Sequence, residues 1–247
     1  MKEELYIATK EIIGYDQWIG RIWKAGKGQP ELIATRHSPV TALCIHKGKL
    51  YDATRSAIRE TLKNKDGDLE NSDAVIVYND IISCMYSCGD EILFGGHYNG
   101  MEFGVFKINP DKPASSNSSC RSIDDMLIAK RGLRHVLSIC THNGKLYDSA
   151  GDRIFSTLDD YEGKHPLVIR PDRIKSIASW NDQLYDSAGR AIYLTEENKI
   201  LKIRENPIIS LLASEGGLID TTNEAVYRTL EDLLLIKKPL ITAIIIG

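Results

Sequence analysis

Aromatic residues are scarce in this sequence, at 7% of 247 positions, and long apolar runs are lacking. No stretch approaches the roughly 18 consecutive apolar residues of a membrane-spanning helix. The opening MKEELYIATKEII also lacks the basic segment, apolar core and small-residue cleavage site of an export signal. We therefore expect a cytoplasmic protein that has no membrane partner.

An excess of basic charge is also lacking, since 31 Lys and Arg face 34 Asp and Glu, so nucleic acid is not an expected partner. The six histidines show no metal-ligand spacing, and the sequence has no CxxC pair. We predict neither a metal nor a cofactor. The cysteines are odd in number, which favours small buried residues over a disulfide framework: Cys44, Cys84, Cys88, Cys120 and Cys140.

What the sequence does contain is a repeat. The stretch VLSICTHNGKLYDSAGDRIFSTL, residues 136–158, has close relatives that begin at Val40, Ile174 and Ile208, and a weaker one at Ile81. Each copy has an apolar alternating run, a polar turn, a second run, a short turn containing Gly or Asn, and a third run. This pattern predicts an antiparallel meander, and a period of about 40 residues with several strands is typical of propeller blades.

The spacing of the copies predicts the number of blades. The anchor of the second strand falls at Leu50, Ile92, Leu146, Leu184 and Leu218, and a further step around a closed ring lands on Leu5. The N-terminal copy lacks a first strand, which residues 240–246 can supply by closing the ring. We predict an all-β, six-bladed β-propeller with four-stranded antiparallel blades. The single domain, 1–247, divides into blades at about 239–247 plus 1–35, 40–78, 81–130, 136–170, 174–204 and 208–238.

The third blade is irregular. Residues 109–131 form an insertion that begins NPDKPASSNSSCRS and is rich in Pro, Ser and Asn. Within it, residues 122–125 could cap a short helix that runs through Lys130. The insertion is either a tolerated loop elongation or a loop that contacts a partner.

Three columns of polar residues follow the repeat. The first strands carry hydroxyls at Thr41, Ser83, Ser138, Ser176, Ser210 and Thr242. The second strands carry Asp52, Asp148, Asp186 and Asp220, and nine residues after each Asp comes Thr61, Thr157, Thr195 or Thr229. A buried carboxylate needs hydrogen bonds, so we predict a structural Ser/Thr–Asp–Thr network in four blades. The alternative is a ring of carboxylates for metal binding or acid–base chemistry.

The stretch VLSICTHNGKLYDSAGDRIF is similar to blades of the WD-repeat and related β-propellers. The resemblance covers essentially the full length. It departs from the WD family because no blade ends in Trp-Asp and no regular Gly-His pair opens the blades. Such a resemblance implies a fold that hosts scaffolds, binders, hydrolases and lyases.

The connections that precede the first strands would rim one mouth of the central channel, and several are basic. They include Arg36 and these candidate binding residues: His37, Asp80, Arg134, His135, Arg173, Asn206 and Lys238. We expect a non-catalytic binding or scaffold propeller whose channel-mouth loops bind a protein partner or a small anionic ligand. The alternative is a metal-dependent hydrolase or lactonase-like enzyme with its site in the channel. No catalytic residue can be named for it.

Overall fold

A computed structural model describes residues 4–14, 17–25, 29–55, 57–63, 74–78, 81–98, 101–112, 126–237 and 241–246. Within these ranges the chain forms six antiparallel sheets of four strands each, which are the six blades of a propeller. The predicted all-β fold and blade number are thereby confirmed. None of the described segments forms a helix that could cross a membrane.

The strands follow one another in chain order. Blade one contains β1 (Leu5–Gly14), β2 (Gln17–Ala25) and β3 (Glu31–Arg36); blade two contains β4 (Ala42–His46), β5 (Lys49–Ala53), β6 (Ala57–Glu60) and β7 (Ala74–Val77). Blade three contains β8 (Ile82–Cys88), β9 (Glu91–Tyr98), β10 (Glu102–Ile108) and β11 (Leu127–Gly132). Blade four contains β12 (Val136–His142), β13 (Lys145–Ala150), β14 (Arg153–Ser156) and β15 (Val168–Ile169).

The last two blades match each other in strand length, with strands of 7, 6, 4 and 5 residues in chain order. Blade five contains β16 (Ile174–Trp180), β17 (Gln183–Ala188), β18 (Ala191–Leu194) and β19 (Lys199–Ile203). Blade six contains β20 (Ile208–Ser214), β21 (Gly217–Thr222), β22 (Ala225–Arg228) and β23 (Leu233–Lys237). The remaining strand, β24 (Ile241–Ile246), is the first strand of blade one.

The ring closes as the sequence predicts. Strand β24 pairs with β1 in antiparallel register from Leu5 opposite Ile246 to Thr9 opposite Ile241. Ile7 and Ile244, which are register partners, are both buried in one apolar cluster with Val226 of blade six. The pairing therefore joins the N-terminal blade to the sixth blade.

The turns between first and second strands show why this sequence folds into tight hairpins. Lys47 and Gly48 both have positive φ, as do Asn143 and Gly144, and such left-handed pairs suit the twist of two-residue hairpins. The strands that flank the first of these turns are buried at almost every position, because both of their faces are covered by neighbouring blades. Apolar side chains pack between neighbouring blades, as Ile58 of blade two does with Ile82 and Phe94 of blade three.

The predicted helix in the insertion is wrong where it can be checked. Residues 127–130 belong to β11, which pairs with β10 as the outer strand of blade three. Burial alternates along β11, with Ala129 and Arg131 buried between less buried neighbours, and this period of two belongs to a strand. Residues 122–125, the predicted cap, lie outside the described part of the chain.

Candidate functional site

The six first strands surround a central channel of about 540 Å³, with lining residues from β4, β8, β12, β16, β20 and β24. Because the strands of each blade alternate in direction, every first strand begins at the same end of the channel. We call this end the top face. It carries the connections that precede the first strands and the turns between second and third strands. The candidate residues lie in those connections.

Four seams between blades contain a fully buried ion pair, which we call the Arg–Asp clamp. In each, an arginine from the end of one blade donates two parallel hydrogen bonds to the aspartate on the second strand of the next blade. The Nε to Oδ2 distances are 2.6–2.8 Å and the Nη2 to Oδ1 distances are 2.5–2.6 Å. The pairs are Arg36–Asp52, Arg131–Asp148, Arg170–Asp186 and Arg204–Asp220.

Further groups complete the clamp. The hydroxyls of Thr61, Thr157 and Thr195 donate to Oδ1 of their own blade's aspartate at 2.8–2.9 Å, as predicted. Three guanidinium groups also lie over an aromatic ring of the next blade, at 4.1–4.6 Å from the ring centroids of Phe155, Tyr193 and Tyr227. Burial raises the pKa of the Asp148 carboxyl, and the bonds from Arg131 and Thr157 oppose that rise.

The predicted role of the first-strand hydroxyls is wrong. These hydroxyls bond to backbone groups, chiefly of the next blade: Thr41 Oγ1 donates to the Ile82 carbonyl at 2.7 Å and Ser176 Oγ donates to the Leu211 carbonyl at 3.1 Å. Ser83 donates to the Val136 carbonyl in the same way. The partner that sequence reasoning missed is arginine. A signal was present, because an arginine precedes the aspartate by 16 residues in three seams and by 17 in the fourth.

The seam between blades two and three replaces the clamp with aromatic rings. Tyr78 and Phe94 lie in edge contact with ring centroids 5.3 Å apart, and Phe94 stacks on Phe106 at 5.2 Å. Gly96 admits the Tyr78 ring, because a Cβ on Gly96 would lie 2.9 Å from that ring. The four aspartates thus occupy seams and bind arginine. Among the described residues no group of three or more His, Cys, Asp or Glu side chains could hold a metal ion.

The predicted rim residues are not equivalent in the structure. Arg36 is buried in its clamp, whereas His37 beside it is exposed. Arg134 is half-buried and lies over Gly151. Asn206 is half-buried, and its Nδ2 donates to Glu224 Oε2 at 3.4 Å. Asp80 and Lys238 lie outside the described residues.

Two of the candidates come close together at the top of the seam between blades four and five. Burial lowers the pKa of His135, and the nearby His97, Arg173 and Lys175 lower that pKa further. The His135 ring lies on Phe103, with ring centroids 3.7 Å apart. Arg173 is exposed, and Lys175 lines the channel. We call His135, Arg173 and Lys175 the basic corner; Lys175 was not among the predicted rim residues because it follows the start of β16.

A second opening lies on the opposite side of the same face. A cleft of about 790 Å³ is lined by Lys10 and Trp18 of the β1–β2 hairpin and by residues at the starts of β4, β8 and β24, among others. The Lys10 ammonium lies 4.7 Å from the centroid of the Trp18 ring. Thr41, Ser83 and Thr242 line both the cleft and the channel, so the two spaces are adjacent.

The six four-stranded blades and the contacts at the seams between them show that this protein is a six-bladed β-propeller. No family model and no curated protein sequence matches this chain. Among solved structures it is similar to the WD40 β-propeller domain of Doa1, with a TM-score of 0.54, 9% identity, and coverage of 95% of this chain and 86% of that chain. It is also similar to the computationally designed Ika8 protein, with a TM-score of 0.48, 10% identity, and coverage of 94% and 75%.

The likeness to the WD40 domain confirms the predicted WD-repeat-like propeller fold. At 9% identity it shows the fold alone. The candidate binding residues therefore depend on the geometry of this chain.

Proposed function

We propose that this protein is a non-catalytic interaction propeller whose top face binds a partner, with an anionic group of that partner held at the basic corner. The anionic group belongs to a protein segment or to a small molecule. Propellers of the WD40 kind commonly mediate protein interactions, and this supports the coarser part of the proposal.

The observation that carries the proposal is the convergence of His135, Arg173 and Lys175. Their charges are close enough to lower the pKa of His135, so these like charges repel one another in the free protein. An anion at this corner would relieve the repulsion and be attracted by the cationic side chains. Lys175 lines the channel, which provides space for a ligand next to the corner.

The test is a titration of isotope-labelled protein followed by NMR, first with inorganic phosphate and then with a peptide of six glutamates. We expect shifts in the His135 imidazole signals that saturate, and their loss in the double variant Arg173→Ala, Lys175→Ala. Lys145→Ala is the matched control, because Lys145 is an exposed cation at the start of β13, on the opposite face.

Saturation by phosphate alone would indicate a small anionic ligand, and saturation by the peptide alone would indicate a protein segment. Signals at His135 that do not move with either probe, or that move equally in the double variant, would contradict the proposal.

We also propose a cytoplasmic location. Cys44, Cys84, Cys88 and Cys140 are free thiols, which suits a reducing compartment. Fractionation of cells followed by detection of the protein tests this, and recovery from a secreted fraction would contradict it.

A further inference from the structure

The β1–β2 hairpin projects beyond its blade. Strand β1 has 10 residues and β2 has 9, whereas the second strands of the clamp-bearing blades have 5 or 6 and their third strands have 4. The extra length lies at the top face. There β24 begins opposite Thr9, but the pairing of β1 with β2 continues through Lys10 opposite Gly20 to Ile12 opposite Trp18.

The projecting part of β1 extends past the described end of β24, the strand beside it that lines the channel. Among the described residues, no strand pairs with β1 beyond Thr9 on the side that β24 occupies. On the outer side of the hairpin, β3 ends opposite Gly20 and leaves the rest of β2 without a described neighbour. An isolated two-stranded ribbon is only marginally stable in water, and an open edge offers backbone groups to an added strand.

One face of this ribbon lies toward the cleft, which Lys10 and Trp18 line. Lys10, Ile12 and Trp18 share that face, because residues two apart on β1 point the same way and Ile12 lies opposite Trp18. Ile12 is 57% exposed. Glu11 and Ile19 are register partners on the other face, where Glu11 also forms an ion pair with Arg21. An exposed isoleucine beside an apolar cleft adds to the apolar surface that a partner could bury.

The charge of the side chains that line the cleft indicates which kind of partner could bind there. Among its described lining residues Lys10 alone is charged, and the others are apolar or carry uncharged polar groups. A carboxylate near Lys10 would therefore meet no acidic side chain within the lining. Apolar side chains would pack on Trp18, Pro39 and Ile81.

We propose that the edge of β1 at Lys10–Gly14 binds an extended segment of a partner protein by strand addition. The segment alternates apolar residues, which enter the cleft, with polar ones, and it presents a carboxylate to Lys10. The inference rests on the proposed binding role of the top face, but it uses the hairpin, which is a different part of that face from the basic corner.

The experiment is panning of the full chain against a phage library of random octapeptides. Enriched peptides are expected to alternate apolar and polar residues and to contain Asp or Glu. A synthetic copy of the leading peptide should bind Ile12→Asp and Trp18→Ala at least tenfold more weakly than the unaltered chain. Ile19→Asp is the matched control, because Ile19 pairs with Glu11 and therefore lies on the opposite face of the ribbon from Ile12 and Trp18, and it should retain most of the affinity.

Strand addition also makes a prediction about the peptide backbone. N-methylation of those peptide residues whose N–H groups face β1 should abolish binding, and N-methylation of the intervening residues should be tolerated. Enrichment of nothing, enrichment of peptides without alternation, or equal binding to Ile12→Asp would each overturn the proposal. Circular dichroism and the thermal midpoint verify that the variants fold.

Failure of this inference is distinguishable from failure of the proposed function. The double variant Arg173→Ala, Lys175→Ala should still bind the hairpin peptide, and Ile12→Asp should still show the phosphate response at His135. Loss of hairpin binding in the double variant would show that the two surfaces are not separate, and would contradict the assignment of the site to the hairpin.

Discussion

Arg170 and Asp186 face each other across the seam between blades four and five, with Nε 2.8 Å from Oδ2 and Nη2 2.6 Å from Oδ1. Both side chains are almost completely buried. Two charges removed from water in this way are stable only as a pair, because the loss of one partner leaves the other unsolvated.

The first prediction concerns that pair. Asp186→Leu should lower the free energy of unfolding by about 3–5 kcal/mol, since it leaves the Arg170 guanidinium buried without its carboxylate. The double variant Arg170→Met, Asp186→Leu should recover most of the loss. Urea unfolding of the three chains measures both effects. A double variant no more stable than Asp186→Leu would show that the loss arises from packing rather than from an unpaired charge.

The second prediction compares two threonines at equivalent places. Thr195 donates to Asp186 Oδ1 at 2.9 Å, whereas the Thr229 hydroxyl is buried without a hydrogen-bond partner in the described structure. Thr195→Val should cost roughly 1–3 kcal/mol of unfolding free energy, because a bond to a charged group is lost. Thr229→Val should be neutral or stabilising. Equal losses in both variants by urea unfolding would contradict the assigned bond.

The Arg–Asp clamp also shows which contacts could be predicted from the sequence and which could not. The repeated pattern of strands and turns, which is clearest in the three copies with Leu-Tyr-Asp, places the six blades and the closure by the C-terminal strand, because period-2 patterns and turn residues determine strands locally. The Asp–Thr bond is equally local, since it joins neighbouring strands. Arg170 was not assigned to Asp186, because the two belong to different blades and a pairing between sheets depends on how the sheets stack.

Sequence analysis also predicted only part of the basic corner, because the contacts there depend on how separate blades are arranged. His135 and Arg173 belong to predicted rim connections, but the association with Lys175 and Phe103 depends on the relative positions of three blades. The helix predicted through Lys130 was wrong because tertiary pairing with β10 overrides local capping signals.

The third prediction concerns Gly96. A methyl group on this residue would lie 2.9 Å from the Tyr78 ring, which is itself packed against Phe94 and Phe106. Gly96→Ala should therefore lower the free energy of unfolding by roughly 1–3 kcal/mol through overpacking. Adding Tyr78→Leu to Gly96→Ala should relieve the clash, so the double variant is expected to lose less than the sum of the two single losses. Strict additivity in denaturation experiments would contradict the proposed contact.

The fourth prediction is a titration. Burial and the charges of His97, Arg173 and Lys175 hold the pKa of His135 below the usual range of imidazoles. The unfolded chain therefore binds this proton more readily, and the contribution of His135 to stability falls as the pH drops through the lowered pKa. NMR titration should show a higher midpoint for His135 in Arg173→Ala and in Lys175→Ala, and no change in Lys145→Ala. A midpoint unmoved by both substitutions at the corner would place the cations too far away to act.

The fifth prediction concerns the thiols. Burial raises the pKa of Cys44, Cys84 and Cys140 to about 12, whereas Cys88 is exposed. Only thiolates react rapidly with disulfide reagents. In a Cys120→Ser variant, native protein should therefore release one equivalent of product quickly and the other three only on unfolding. Rapid release of more than one equivalent from the native chain would contradict the burial of these residues.

The pairing of Leu5 with Ile246 has a consequence for how the chain folds. Blades two to six can each form from neighbouring segments, but blade one needs segments from opposite ends of the sequence. Contacts of such large sequence separation form slowly, because the entropy of closing the intervening loop must be lost first. During synthesis the N-terminal segments emerge first. The inner edge of strand β1 therefore stays unpaired until β24 has been synthesised. During chain growth the inner edge of β1 is therefore available for pairing with other strands. That availability ends when β24 pairs with β1 and closes the ring.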